Sequence, residues 1–84
     1  MNNFSAIYHL SETQKRLQEV LIAYEVQETN DTFHKAKRMS KAIENLIQAI
    51  SNTDEQAYAS ETYVWLLIDT ARSLMGKLSN NVLT

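Results

Sequence analysis

The 84-residue sequence contains no cysteine, no proline and one glycine. Without cysteine, neither disulfide bonds nor thiolate metal sites can stabilise the fold. Proline and glycine are the residues that most often interrupt strands, turns and long loops, and average usage would give about four prolines and six glycines in a chain of this length. Their scarcity favours a few long helices joined by short connections.

Long apolar runs and a strong charge imbalance are also missing. The longest run of large apolar residues, Tyr63 to Ile68, has six members, whereas a helix needs about 20 to span a membrane. The first ten residues lack the basic and apolar segments of a signal peptide, and the formal net charge is −2. We therefore expect a cytoplasmic protein that does not enter a membrane and whose overall charge does not favour nucleic acid.

The remaining pattern predicts an all-α fold, an antiparallel up-down-up three-helix bundle that forms a single helical domain. Residues that cap helices and favour turns cluster at 28–31 and 51–54. Asn30 or Asp31 is a candidate cap for the second helix, and Thr53 with Gln56 fits a capping box before the third. Apolar residues at intervals of three and four predict helices over about 5–28, 31–51 and 54–79 of the domain 1–84. A capping box at Ser11 and Gln14 is the basis of an alternative, in which the first helix starts at Glu12 and residues 1–10 form a separate segment. Connections this short make consecutive helices antiparallel.

The third predicted helix has more apolar surface than one core-facing side requires. At 100° per residue, its apolar residues cover an arc of about 200°, compared with about 100° for an ordinary amphipathic helix. Tyr63 and Trp65 lie at the two edges of this arc, and Leu66 lies on the opposite side. A helix that contacts two neighbours also needs a wide stripe, which is the alternative explanation. We interpret Tyr63, Trp65 and Leu66 as protein-interface residues, because aromatic side chains are enriched at such contacts.

The first predicted helix has a similar, smaller surplus. Ile22 and Val26 are one turn apart and stand about 100° or more from the centre of its apolar stripe. The alternative is a slightly wider stripe that touches a third helix. Together with the third helix, this surplus predicts a homodimer and a further protein partner.

A basic face on the second helix is the other distinctive feature. His34, Lys37, Arg38 and Lys41 share one outward arc of about 100°. They lie near the helix N-terminus, where positive charge opposes the helix dipole. This face is either solvated or a contact site for an anionic partner, which would be an acidic protein or a phosphate backbone. Without a Gly-rich loop or aromatic platform, the pattern is a weak indication of nucleic-acid binding.

No arrangement of residues predicts catalysis or a cofactor. His9 and Glu12 lie one turn apart, but two ligands do not make a metal site. No nucleophile, base and oxyanion hole can be assembled from the sequence. We therefore expect a small non-enzymatic interaction protein that inhibits, regulates or adapts a protein partner as a homodimer. The alternatives are a nucleic-acid-binding helical dimer that uses the basic face, and a structural subunit of a helical assembly.

Overall fold

Three α-helices make up most of residues 1–52 and 60–82, which are the residues that the computed structural model describes. Helix α1 comprises Asn3–Ala23, α2 comprises Asp31–Ser51 and α3 comprises Glu61–Val82, and a 3-10 turn at Glu25–Gln27 follows α1. Each helix packs against the other two. The predicted all-α three-helix bundle is therefore confirmed.

Contacts at the two ends of the bundle establish the direction of the helices. At one end, the amino group of Met1 lies 4.0 Å from the carboxylate of Glu61. At the other end, the side-chain amide of Gln27 donates a hydrogen bond to the carbonyl of Leu78 at 3.3 Å. Helices α1 and α3 are therefore parallel, and α2 returns between them in the opposite direction. The resulting rod measures 47 × 18 × 17 Å.

The core is a continuous apolar layer along the bundle axis. Each helix contributes one fully buried alanine, namely Ala6, Ala36 and Ala71, which allows neighbouring backbones to approach closely. The other buried apolar residues are Leu10, Leu17, Phe33, Ile43, Ile50, Val64, Leu67, Ile68, Leu74, Met75 and Leu78. Helix α3 supplies more of them than either neighbour, so contact with two helices explains much of its wide apolar arc.

Helix α1 begins earlier and ends earlier than predicted. The side chain of Asn2 accepts a hydrogen bond from the backbone N–H of Ser5 at 2.8 Å, so the helix starts at Asn3 and includes the first ten residues apart from Met1 and its cap. At the other end, the backbone at Tyr24 leaves helical geometry, with φ −111° and ψ 27°. The tighter 3-10 turn that follows reverses the chain before α2, which is why the helix does not extend to Glu28.

Helix α2 has the predicted bounds, whereas α3 starts later than predicted. Ser60 is not helical, and its hydroxyl accepts a hydrogen bond from the N–H of Tyr63 at 3.3 Å, so α3 begins at Glu61. The predicted start at residue 54 and its Thr53–Gln56 capping box lie outside the described residues. Helix α3 also continues past residue 79 to Val82.

The cap of α2 gives a testable contribution to stability. The side chain of Asn30 accepts a hydrogen bond from the N–H of Thr32 at 2.7 Å. We expect Asn30→Ala to lower the free energy of unfolding by about 1 kcal/mol, because one of the unpaired N–H groups at the helix start loses its acceptor. Urea denaturation measures this change. Asn45→Ala, at an exposed position inside the same helix, is the control and should be neutral or slightly stabilising; an equal loss at both positions would contradict the capping role.

Candidate functional site: the α2–α3 groove and the outer face of α1

Two of the three interface residues predicted on α3 lie on an open surface. Leu66 is 59% exposed and Tyr63 is 48% exposed. Trp65 is instead partly buried against the core, and its ring lies 5.1 Å from the ring of His9 on α1. Trp65 therefore contributes to packing between α1 and α3, while Tyr63 and Leu66 remain available to another molecule. The interface role of all three residues stays a prediction.

Leu66 and Tyr63 lie one and two helical turns before Thr70, which lines a groove between α2 and α3. Thr70 lies one turn beyond Leu66, and its hydroxyl donates a hydrogen bond to the Leu66 carbonyl at 2.7 Å, so it needs no further partner. We define the α3 strip as Tyr63, Leu66, Thr70 and Leu74, which share one side of the helix at spacings of three and four residues. The groove has a volume of about 380 Å³ and is lined by Lys35, Arg38, Met39, Ala42, Thr70 and Leu74.

The predicted basic face borders this groove. Its members His34, Lys37, Arg38 and Lys41 are all exposed. Arg38 belongs both to the basic face and to the groove lining, so positive charge and apolar surface meet there. The second cation of the groove, Lys35, lies 3.2 Å from the carboxylate of Asp31.

The ammonium group of Lys37 lies 5.9 Å from the ring centroid of Phe33. This contact is within the range of a cation–π interaction. It holds one cation of the basic face close to the helix surface.

A second exposed apolar surface lies on the outside of α1 and includes residues that the sequence analysis missed. Ile22 on α1 is 74% exposed, and Val26, which lies in the 3-10 turn after α1, is 87% exposed, so both lie off the core as predicted. Phe4 and Tyr8, at the opposite end of α1, are 83% and 59% exposed. Phe4 and Ile22 are 18 residues apart in the sequence, which is five turns of an α-helix, so they share one face. The 18-residue spacing of Phe4 and Ile22 is visible in the sequence and could have predicted that they share this face.

Another groove, between α1 and α3, is lined mainly by charged and polar side chains. It has a volume of about 680 Å³, and its lining includes Glu12, Arg16, Glu19 and Arg72, which carry charges of both signs. His9 does not join these carboxylates, since it packs between the rings of Tyr8 and Trp65. Within residues 1–52 and 60–82, no three His, Cys, Asp or Glu side chains are grouped so that they could hold a metal ion.

Comparison with known proteins does not assign a family or a function to this chain. No protein-family model, curated protein or solved structure matches this chain. Among the described helices, none is both long enough and apolar enough to cross a membrane.

Proposed function

We propose that this protein is a small non-enzymatic interaction module, active as a homodimer, that binds a protein partner in the α2–α3 groove and thereby inhibits, regulates or adapts it. The observation that carries the proposal is the exposure of Leu66 and Tyr63 along the same side of α3 as the groove. Covering the exposed part of Leu66 alone would contribute about 1 kcal/mol to binding.

The chemistry of the groove favours an amphipathic helix with an acidic flank as the bound segment. A groove between two helices, with Met39, Ala42 and Leu74 in its lining, suits the apolar face of a partner helix. Lys35 and Arg38 stand on the α2 side of the groove, where aspartate or glutamate of the partner would meet them. The rest of the basic face extends this positive potential and would accelerate association.

Nucleic-acid binding is the second candidate, because the same basic face could contact phosphates. A phosphate backbone would leave Leu66 and Tyr63 uncovered, and this favours the protein partner. The salt dependence of binding distinguishes a nucleic-acid partner from a protein partner. Phosphate contacts by the four basic-face residues should weaken binding steeply between low and moderate salt, whereas a mainly apolar contact should respond little.

Site-specific photo-crosslinking in the native cells tests the proposal directly. A photoreactive amino acid in place of Leu66 should give a discrete adduct with another protein. The same group in place of Glu44, which is exposed on α2 but does not line the groove, should not give that adduct. The proposal is abandoned if position 66 gives no protein adduct, or if its only adduct is nucleic acid.

A charge placed on the α3 strip should abolish this association. We expect Leu66→Glu to weaken binding of the purified partner identified by crosslinking by at least about tenfold, because the carboxylate would have to be desolvated in an apolar contact. Leu66→Met preserves volume and polarity and should bind like the wild type. Titration by calorimetry measures both variants, and wild-type affinity for Leu66→Glu would exclude this strip as the contact.

A further inference from the structure

We propose that the α2–α3 groove selects a partner helix whose apolar and acidic residues are separated along its length, so that its carboxylates meet Arg38 and Lys77 about two to three turns away from its apolar contacts with Leu66. This inference rests on the proposed function, because it specifies the kind of helix that the groove accepts. It also assigns a binding role to Lys77 on α3.

Lys77 lies on the same side of α3 as the groove. It is exposed and follows Leu66 by eleven residues, which is three turns of an α-helix, so the two side chains share one side. The next residue, Leu78, accepts the hydrogen bond from Gln27, shortly before α2 begins. Lys77 therefore stands at the end of the groove where the N-terminal half of α2 contributes Arg38 to the lining.

The positive charges at this end have different surroundings. Lys35 lies 3.2 Å from the carboxylate of Asp31, so its charge already has a partner. By contrast, no carboxylate within residues 1–52 and 60–82 lies within 4.0 Å of the charged nitrogen atoms of Arg38 or Lys77. Both side chains are exposed, so they are available to form charge-assisted hydrogen bonds with the carboxylates of a bound helix.

The opposite end of the groove is apolar. Beyond Ala42, the same side of α2 continues with Leu46 and Ala49, at spacings of four and three residues. Because α2 and α3 are antiparallel, Leu66 and Tyr63 lie at this level of α3, and both are about half exposed. None of these five side chains is charged, so a carboxylate placed here would lose hydration without gaining a partner.

The difference between the two ends defines the chemistry of the partner helix. Its apolar residues must lie over Leu66 and Tyr63, and its aspartates or glutamates must lie about 11–16 Å further along, over Arg38 and Lys77. A helix with acidic residues spread evenly along the same face would bring some of them onto the apolar end. Charge complementarity therefore determines which end of the partner lies at which end of the groove.

Two designed peptides of equal composition test the inference. Each is about 20 residues long, enough to span the groove from Tyr63 to Lys77, and a side-chain crosslink on its outer face holds it helical. In the segregated peptide, leucines occupy one half of the binding face and glutamates the other half, whereas in the mixed peptide they alternate along this face. We expect the segregated peptide to bind the full chain at least about fivefold more tightly in fluorescence anisotropy titrations, because the mixed peptide must desolvate glutamates at the apolar end.

Removal of single charges tests the roles of Arg38 and Lys77. Arg38→Gln and Lys77→Gln should each weaken binding of the segregated peptide by about two- to fivefold, as expected for exposed ion pairs. Neither should change the affinity for the mixed peptide appreciably. The matched control is Lys41→Gln, which removes the same charge from an exposed position of α2 outside the groove lining and should leave both affinities unchanged.

The outcomes separate this inference from the proposed function. Equal affinities for the two peptides, no measurable binding of either peptide, or an equal loss from Lys41→Gln would overturn the inference. The proposed function would still stand if the photoreactive group at position 66 gave its protein adduct. Absence of that adduct would reject the partner site itself and the inference with it.

Discussion

Leu67→Glu is expected to unfold the protein, whereas Leu66→Glu, one residue earlier, should leave it folded. Leu67 is 7% exposed and belongs to the core, while Leu66 is more than half exposed. A carboxyl group in the core must either lose its hydration or be protonated, in addition to the lost apolar contact, and the combined cost is on the order of 4 kcal/mol or more. That is a large fraction of the 5–15 kcal/mol typical of a whole domain.

Circular dichroism and urea denaturation compare these two variants. Leu67→Glu should lose most of its helical signal at 25 °C, and Leu66→Glu should show the helicity and unfolding midpoint of the wild-type monomer. The two substitutions have the same chemistry at adjacent positions, so helix propensity and net charge change equally. Equal stability of the two variants would show that the assigned orientation of α3 is incorrect.

Ile43→Ala is expected to lower the free energy of unfolding by about 2–5 kcal/mol. Ile43 is fully buried near the middle of α2, and its truncation removes apolar contacts and leaves a cavity that the rigid surroundings fill only partly. A chain of this size buries a limited area on folding, so such a loss is close to the limit of what it tolerates. The melting temperature should fall by well over 10 °C.

Ile22→Ala provides the matched control, since it removes the same atoms from a side chain that is mostly exposed. Measured at protein concentrations low enough to keep the chain monomeric, this variant should be within about 0.5 kcal/mol of the wild type. A loss at Ile22 as large as that at Ile43 would mean that Ile22 is packed within the monomer and is not a surface residue.

The helices were largely predictable from the sequence. The predicted and observed helix bounds differ where local sequence signals compete with the path of the chain. The bounds of α2 follow from an asparagine cap and a clean apolar stripe, which agree with each other. At the end of α1, the apolar side chain of Val26 extends the helical pattern, but the backbone has already turned at Tyr24 to connect with α2. Before α3, the capping box predicted at Thr53 lies outside the described residues, and Ser60, which was not predicted as a cap, accepts the hydrogen bond at the described start of the helix.

The exposure of the candidate surface residues was predictable only where it depends on the position of a residue on its own helix and not on packing between helices. The exposure of Leu66 follows from its angle on α3, because no neighbour intervenes. The partial burial of Trp65 does not, since it depends on His9, which is distant in sequence. For the same reason, the meeting of Arg38 with the apolar groove requires knowledge of how α2 packs against α3. Phe4 was missed because the predicted helix began one residue after it.

The elongated shape of the bundle has a consequence for how the molecule tumbles. A rod of 47 × 18 × 17 Å rotates faster about its long axis than end over end. In the proposed homodimer, side-by-side pairing of two copies would widen this rod without lengthening it. Rotation about the long axis would then slow markedly while end-over-end rotation changed less, so the rotational diffusion of the particle would become more nearly isotropic as the protein concentration rises.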